Sequence, residues 1–449
     1  MSYIDPRPIS DLYEEHINHI TRIYREGLRA FGYEGLIIAS GQPPEVFQDD
    51  YHYPFKANHH FKHWVPVFDN PNCFVIIHAD RAPELLFYTP DDFWHATSTA
   101  PSDYWCSAFK LTCIKSLDEL PKLLPKKRHR YAGLIPDERT KRLMGLDYTN
   151  PRNINDYLRY HRAWKTAYEV RCTELANDIA ARAHIAAEQC FQQGGTEHDI
   201  HLAYLKSSKA KETEMPYENI IGINEHAAIL HYNLYDAVKP EKTHSLLIDA
   251  GAWYQGYAAD ITRTYSQSDN LTYNQLLEAM ETLMLNIVDE VKPGASLNDC
   301  QRLTHRKVAG LLSEVGLVDM SVEEMVQKKV TGAFYPHGLG HYLGLQVHDV
   351  GGTLANPYGD ELPRPEDYPN LRYLRPLEAD NIITIEPGLY FIEMLLNELK
   401  AKPEGKQVNW SLVEELMPCG GIRIEDDILV IESGHRNLSR EAFERVSMV

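Results

Sequence analysis

Five side chains in the last half of the sequence have the types that bind divalent metal ions: Asp249, Asp260, His341, Glu386 and Glu425. Four carboxylates and one imidazole carry about as much negative charge as two divalent cations carry positive charge. A water molecule held between two such cations ionises near neutral pH and becomes a nucleophile. These residue types therefore predict hydrolysis at a dinuclear metal centre through a bridging hydroxide.

The first two acids lie on two short runs that are typical of adjacent antiparallel strands. The run SLLIDAG at 245–251 contains Asp249, and the run GYAADITRTY at 256–265 contains Asp260. A turn at Tyr254–Gln255 would put the two acids opposite each other, where Cβ atoms are about 4.5–5.5 Å apart. Facing carboxylates without a cation would repel each other and resist burial. Taken alone, the pair is equally consistent with exposed acids at strand ends.

The segments that follow carry histidines and a further acid. His337, His341 and His348 lie in FYPHGLGHYLGLQVHDV at 334–350, and Glu386 ends the apolar run NIITIE. The histidine segment is not an HExxH motif, and its three glycines disfavour a regular helix. Glycines allow the backbone to approach a site closely. A single histidine in such a segment is more often structural than a metal ligand, but three histidines near two candidate acids favour a site.

The fifth acid lies in GGIRIEDDILV at 420–430, where alternation predicts a strand. Arg423, Glu425 and Asp427 share one face of that strand. A buried glutamate needs a partner, and a salt bridge to Arg423 would supply one without any metal. The spacing does not distinguish Glu425 from Asp426 or Asp427 as a ligand.

The blocks LIDAG, GYAADITRTY, PHGLGHYLGLQVHDVGG, TIEPGLYF and GGIRIEDDILV resemble the metallopeptidase family with the pita-bread fold. The chain is most similar to bacterial prolidases (Xaa-Pro dipeptidases), in the subgroup that includes organophosphorus acid anhydrolase. DDYHYPFKANHHFKHWVPVFDNP and FYTPDDFWH resemble that subgroup as well, so the resemblance covers essentially the whole chain. It implies a pita-bread (creatinase/aminopeptidase-like) α+β catalytic domain, in which two halves lend carboxylates to a central site.

The resemblance also implies a role for each metal ligand. Asp249 would bind one metal ion, and Asp260 and Glu425 would bridge both. His341 would be the imidazole ligand. Glu386 would bind a metal ion and act as the catalytic acid and base.

The substrate pocket is likewise implied by the resemblance. His348 would be catalytic, stabilising developing negative charge or moving a proton, and His231 would be a second pocket histidine. Taken without the family, His231 is equally consistent with a solvated loop. His337 would be an outer-shell or packing residue at the border of the substrate pocket. Arg375 would hold the substrate carboxylate, and Arg423 would orient the acids or contact substrate; a solvated loop charge is the alternative for Arg375.

Three further pocket residues and the cofactor follow from the same resemblance. Tyr217 and Val347 would line the pocket, and Asp50 would reach the site of a neighbouring subunit in a homodimer.

The resemblance favours two Mn²⁺ ions per subunit, and oxygen-rich ligands suit Mn²⁺, with Co²⁺ or Zn²⁺ as substitutes. The expected partner is a small dipeptide, with organophosphorus (P–F or P–O) hydrolysis as a second activity.

Composition excludes several function classes. The chain has 449 residues, 43% hydrophobic and 24% charged, and a net charge of -19, which disfavours binding to nucleic acid or anionic membranes. It has no apolar stretch near the roughly 20 residues that cross a bilayer, and its start does not resemble a secretory signal. Seven scattered cysteines without CxxC indicate reduced thiols in the cytoplasm.

The length predicts two domains, an N-terminal α/β domain at 1–155 and the catalytic domain at 156–449. Apolar periodicity predicts a first helix, three strands and three later helices. In chain order these are 12–31, 35–40, 73–79, 84–89, 166–193, 273–291 and 297–315.

Three alternatives share the predicted catalytic fold. An aminopeptidase P would use the same ligands on longer Xaa-Pro peptides. A creatinase-type enzyme would not need metal, and a non-enzymatic binding module would have lost ligands. The five intact candidate ligands argue against the last two.

Overall fold

The structure is a computed structural model that describes residues 5–448. The chain forms two compact units. Unit 1 extends to Cys172 and includes Gln255–Tyr257 and Leu354–Glu361, and unit 2 comprises the other described residues from Thr173 onward. The domain boundary after residue 155 remains a prediction.

Unit 1 is built around one six-stranded mixed sheet in the order β4-β3-β2-β1-β5-β6. Strand β1 is antiparallel to β2 and parallel to β5. Helices accompany this sheet, as expected for an α/β domain. The elements are α1 (Ile9–Phe31), β1 (Gly35–Ala39), α2 (His59–Lys62), β2 (Phe74–His78), β3 (Glu84–Tyr88), β4 (Lys110–Ile114), α3 (Leu120–Leu123), β5 (Tyr131–Leu134), α4 (Glu138–Met144), β6 (Tyr148–Thr149) and α5 (Arg152–His161).

Burial explains why these segments form these elements. Strands β1 and β2 are buried along their whole length and are apolar except for His78, as in sheets that are covered on both faces. Helix α1 buries one stripe at four-residue spacing and ends at Gly32, whose φ of 75° is left-handed. His16 is a polar member of that buried stripe.

Unit 2 contains two three-stranded antiparallel sheets, ordered β11-β8-β7 and β12-β15-β16, and a pair β13-β14. The elements are α6 (Ala167–Gln192), which begins before the unit does, α7 (Glu197–Ser208), β7 (Ile220–Ile223), β8 (Ser245–Asp249), β9 (Ala252–Tyr254), β10 (Tyr257–Ala259), β11 (Thr262–Ser266), α8 (Leu271–Val288), α9 (Leu297–Glu314), α10 (Val322–Gln327), β12 (Ile382–Ile385), β13 (Gly388–Tyr390), α11 (Glu393–Lys400), α12 (Trp410–Leu416), β14 (Gly421–Arg423), β15 (Asp426–Ile431), β16 (Gly434–Asn437) and α13 (Leu438–Ser447).

The two sheets of unit 2 meet at the segments that carry the acids. An isolated antiparallel bridge joins Thr262, the first residue of β11, to Glu425, the residue before β15. The amide of Glu425 donates to the carbonyl of Thr262 at 3.1 Å. Asp249 ends β8 and Glu386 directly follows β12. Acids from both sheets are therefore brought to one region.

The register expected for the first two acids is wrong. Strands β8 and β11 pair so that Asp249 lies opposite Thr262, not opposite Asp260. The positive φ values belong to Gln255 and Gly256, at 51° and 87°, so the turn lies one residue later than expected. The predicted second run contains two strands, β10 and β11, and Asp260 lies in the break between them.

No helix within residues 5–448 combines the length and the apolar character that crossing a bilayer requires.

Candidate metal centre

The predicted ligands from distant parts of unit 2 converge. Asp260, His341 and Glu425 are buried, and each offers a ligand atom within 4.8 Å of those of the other two. Nε2 of His341 lies 3.5 Å from Oδ2 of Asp260 and 3.8 Å from Oε1 of Glu386. Ligands at about 2.1 Å from a shared tetrahedral ion lie roughly 3.4 Å apart. These separations fit a cation between the side chains.

Asp249 joins this group through a shared phenol. The hydroxyl of Tyr217 lies 2.7 Å from Oδ1 of Asp249 and 2.5 Å from Oδ1 of Asp260. The two acids are thus neighbours although their strands do not pair them. Tyr217 was expected in the substrate pocket, and its contact with both acids was not foreseen.

Backbone contacts orient the imidazole of His341. Its Nδ1 donates to the carbonyl of Tyr342 at 2.9 Å, which leaves Nε2 free to face the acids. A ring held in this way by its outer nitrogen is typical of metal-binding histidines. The amide of Thr384 donates to the carbonyl of His341 at 2.9 Å. A Cβ on Gly340 would lie 2.0 Å from the carbonyl oxygen of Thr384, so this approach requires glycine.

The electrostatics of the site indicate missing positive charge. Burial raises the pKa of Asp249 and Glu425, and it raises the pKa of Glu386 to about 7. Burial opposes ionisation of His341 also, but Asp260 and Glu386 together raise its pKa to about 9. Without a metal cation, the negative charge of the acids is thus reduced by protonation of the carboxyl groups or balanced by a protonated His341. Oxygen ligands with this deficit fit divalent metal ions.

The three consecutive acids at 425–427 have different surroundings. Asp426 forms ion pairs at 2.7 Å with Arg263 and with Arg440, so its charge is already balanced. Asp427 accepts from the amide of Asp260 at 3.1 Å. Glu425 faces the other predicted ligands. Of the three consecutive acids, Glu425 is thus the one whose ligand atom lies near those of Asp260 and His341, and its role as a metal ligand remains a prediction.

Asp427 belongs to a buried network that the sequence did not indicate as functional. Its Oδ2 accepts from the side-chain amide of Asn177 at 2.8 Å as well as from Asp260. Ser439 donates to Oδ1 of Asn177 at 2.8 Å. This network fixes the backbone that presents Asp260. No local signal marked it, because Asn177 lies 250 residues before Asp427.

The alternative without metal, a salt bridge between Arg423 and Glu425, is not what the structure shows. The guanidinium donates instead to Oδ2 of Asp249 at 2.7 Å and to the hydroxyl of Tyr390 at 3.1 Å. A break between β14 and β15 interrupts the alternation on which that pairing rested. Arg423 thus supports the acid of the other sheet, and its contact with substrate remains a prediction.

Two predicted pocket histidines border the acids. The ring of His348 lies edge-on to that of His341, with centroids 4.4 Å apart. His348 keeps an exposed edge, yet its partial burial, then the charges of His341 and Arg372, lower its pKa to about 4. His337 donates from Nδ1 to the carbonyl of Gly338 and lies 3.8 Å from Oε2 of Glu386.

The third pocket histidine, His231, is exposed. Burial is the main cause that lowers the pKa of His337 and of His348, and the charge of His231 adds to it. His231 therefore lies near both rings. Its role remains a prediction.

Two arginines lie within the segment LRYLRP at 371–376, which follows the histidine segment. Arg375 is buried and donates to Glu378 at 2.8 Å, so the alternative of a solvated loop charge is wrong. Arg372 was not singled out by the sequence, although its charge helps to lower the pKa of His348. Either guanidinium has the chemistry to hold a substrate carboxylate.

The last two predicted pocket residues differ in their surroundings. Val347 is half-buried beside His348, whereas Asp50 is exposed in unit 1. Their roles as substrate contacts remain predictions.

Family comparisons agree with this arrangement. Residues 171–432 match the family described as Metallopeptidase family M24, and residues 11–160 match the description "Xaa-Pro dipeptidase, N-terminal domain". The chain is 44% identical over 430 residues to a Xaa-Pro dipeptidase of Pseudoalteromonas translucida, covering 96% of this chain and 98% of the relative. It is 43% identical over 433 residues to a Xaa-Pro dipeptidase of Shewanella oneidensis, with the same two coverages.

Solved structures share the fold. E. coli aminopeptidase P with the inhibitor Pro-Leu gives a TM-score of 0.72 at 20% identity, over 95% of this chain and 97% of that one. Pseudomonas aeruginosa aminopeptidase PepP gives a TM-score of 0.71 at 22% identity, over 99% of each chain. These similarities confirm the expected pita-bread fold.

Proposed function

This chain belongs to metallopeptidase family M24, and from that premise we propose that it is a dinuclear-metal Xaa-Pro dipeptidase. The observation that carries the proposal is the convergence of buried acids and one oriented imidazole from both sheets of unit 2. Relatives named Xaa-Pro dipeptidase match almost the whole chain, which supports the substrate class.

We assign the metal ligands to Asp249, Asp260, His341, Glu386 and Glu425. Their oxygen-rich chemistry favours Mn²⁺, with Co²⁺ or Zn²⁺ as substitutes. When bound, the two ions would polarise the scissile carbonyl and lower the pKa of a water molecule between them.

The remaining chemistry falls to side chains of this protein. Glu386 would accept the proton of the attacking water and deliver it to the leaving nitrogen of proline. Its pKa of about 7 without cations reflects burial, and a group with that pKa can both accept and release a proton near neutral pH. His348 would donate a hydrogen bond to the oxyanion.

Recognition of a dipeptide requires a partner for its free carboxylate. Arg375 is our candidate, and Arg372 is the second, because a guanidinium can form two parallel hydrogen bonds to a carboxylate. Tyr217, Val347 and His231 would complete the pocket. Arg375→Lys and Arg372→Lys should separate these two candidates: the true partner gives the larger rise in KM for dipeptides.

The direct test is turnover of Ala-Pro by purified protein before and after chelation, followed by Mn²⁺ addition. We expect activity to disappear on chelation and to return with the metal. Comparison of Ala-Pro with Ala-Pro-Ala distinguishes a dipeptidase from an aminopeptidase P. Undiminished cleavage by the chelated protein, or preference for the tripeptide, would contradict the proposal.

We infer a second activity on organophosphorus compounds from the N-terminal blocks that resemble the organophosphorus acid anhydrolase subgroup. A phosphorus centre with a leaving group has the tetrahedral shape of the intermediate in amide hydrolysis. Turnover of a fluorophosphate by the Mn²⁺-loaded protein tests this activity. A rate equal to that of buffer would eliminate it.

We also propose a cytoplasmic homodimer. Free cysteines throughout the described residues suit a reducing compartment. Asp50 is exposed and available to a second subunit. Light scattering gives the oligomeric state, and Asp50→Ala should lower turnover without changing metal content; a monomer with full activity would refute this assignment.

A further inference from the structure

A second group of potential metal ligands lies in unit 1, outside the candidate metal centre. It consists of His16 on α1, His63 directly after α2, and Glu169 on α6, and we name it the histidine–glutamate triad. A ligand atom of each residue lies within 4.8 Å of those of the other two. The residues are 0%, 6% and 3% exposed, so the triad is closed to bulk solvent.

Hydrogen bonds orient both imidazoles toward the carboxylate. Nε2 of His16 lies 2.9 Å from the carbonyl oxygen of His63, so it carries the proton and leaves the lone pair on Nδ1. That Nδ1 lies 3.8 Å from Oε2 of Glu169 and 2.9 Å from the hydroxyl of Thr166, which a bound ion would displace. Nδ1 of His63 contacts the hydroxyl of Tyr24 at 3.3 Å, and Nε2 faces Oε1 of Glu169 at 3.6 Å. Rings held by an outer nitrogen are typical of metal ligands.

The separations within the triad suit an ion better than direct hydrogen bonds. Distances of 3.6 and 3.8 Å exceed the roughly 2.7–3.2 Å of an N–H···O bond. They are near the roughly 3.4 Å between ligands that lie about 2.1 Å from a tetrahedral ion. The amide of Thr166 donates to Oε2 of Glu169 at 2.9 Å, and this backbone bond holds the carboxylate in place between the rings.

A buried hydroxyl lies beside the triad. Tyr257 is 1% exposed. Burial, followed by the charge of Glu169 and a hydrogen bond with it, raises the pKa of this phenol, so its hydroxyl faces the carboxylate of the triad.

A third group with suitable residue types illustrates the difference. Glu197 accepts from the amides of Ile223 and Asp236 and from Nδ1 of His226, at 2.7–2.8 Å. Its carboxylate is satisfied by hydrogen bonds without an ion. The triad has no comparable set of short contacts between its imidazoles and its carboxylate.

We propose that the histidine–glutamate triad binds one Zn²⁺ ion that joins α1, the end of α2 and the start of α6 within unit 1. Two nitrogens and one carboxylate oxygen, with a water molecule as fourth ligand, are a common zinc donor set. The ion would be structural, because the triad is closed to substrate. This inference does not depend on the proposed peptidase activity.

The test uses the full chain, stripped of metal and dialysed against Zn²⁺, with bound zinc measured by mass spectrometry. His63→Ala and Glu169→Gln should each bind one Zn²⁺ fewer per chain than the unsubstituted protein. The matched control is His19→Ala, an exposed histidine of the same helix as His16, which should lose none. This difference is independent of how many ions the candidate metal centre binds.

Cobalt provides a second readout. Co²⁺ at a tetrahedral nitrogen-containing site gives visible absorption, which His63→Ala should reduce and His19→Ala should leave unchanged. If His63→Ala does not fold, as judged by circular dichroism, His63→Gln replaces it. Equal zinc content and equal cobalt spectra in the triad variants and the control would overturn the proposal.

Discussion

Removal of the metal ions should make the stability of this protein depend on pH through Glu386. Burial raises the pKa of this carboxyl from 4.5 to about 7 in the metal-free protein. At 1.36 kcal/mol per pH unit, that rise corresponds to roughly 3 kcal/mol. Because the pKa is higher in the folded state, this stability is present below pH 4.5 and is lost as the pH rises through about 7.

The assay is urea unfolding of chelated protein at closely spaced pH values between 5 and 8. The comparison is with chelated Glu386→Gln, in which a neutral amide of similar size replaces the carboxyl. The difference in unfolding free energy between the two proteins should change by about 2–3 kcal/mol across this range. That difference includes the coupling of Glu386 to the neighbouring acids.

Addition of metal ions should reverse the pH dependence of the unfolding free energy. The ligands must lose protons to bind cations, so stabilisation by Mn²⁺ should increase with pH in the unsubstituted protein. Parallel pH profiles for the chelated protein and chelated Glu386→Gln would refute the reasoning, because they would show that Glu386 titrates normally when no cation is bound.

Three further predictions concern the construction of the site. Gly340→Ala would put a Cβ 2.0 Å from the carbonyl oxygen of Thr384, so we expect a loss of roughly 1–3 kcal/mol in unfolding free energy and a large loss of turnover. Gly332→Ala, where a Cβ meets nothing within 4 Å, is the control; equal effects would contradict the close-approach argument. Asp427→Ala removes the acceptor for the amide of Asp260, and metal affinity should fall by about 10–100-fold in a chelator competition. An unchanged affinity would show that the network does not position Asp260. Finally, metal binding at pH 7 should release protons, measurable by calorimetry in buffers of different ionisation enthalpy; the absence of a buffer effect would contradict the raised pKa values.

The fold could be predicted where one physical signal dominated. The sequence predicts the first helix at 12–31, and the structure has it at Ile9–Phe31. The prediction succeeds because buried residues recur about every four positions and form one face of the helix. The first strand was expected at 35–40 and is observed as Gly35–Ala39, because its apolar run is buried throughout. Long segments with apolar periodicity can be predicted from the local sequence, and their predicted ends differ from the observed ends by only a few residues.

Strand register could not be predicted in the same way. The composition of the run that contains Asp260 predicts one strand, but the run forms β10 and β11 with a break at Asp260 itself. Apolar residues continue through the break, so composition does not reveal it. Thr262, which pairs with Asp249, also donates from its hydroxyl to Glu425, a residue 163 positions away that no local pattern connects to it.

The contacts that support the candidate ligands could not be predicted either, because they join residues that are far apart in the sequence. Arg423 pairs with Asp249, and Asn177 supports Asp427, across separations of 174 and 250 residues. Nothing local distinguishes these side chains from ordinary buried polar residues. The sequence therefore indicated which residue types were present, whereas their partners required the fold.

These long-range contacts explain why the centre can exist before it binds metal. Arg423 and the phenol of Tyr217 compensate part of the repulsion between buried acids from two sheets. The compensation is incomplete, since burial, and after it the charges of neighbouring acids, still raise the pKa of Asp249 and that of Glu425. Divalent cations would remove the remaining repulsion, so metal binding and the stability of this junction should be linked. The excess of buried negative charge lowers the stability of the metal-free protein, and the same excess gives the site its affinity for cations.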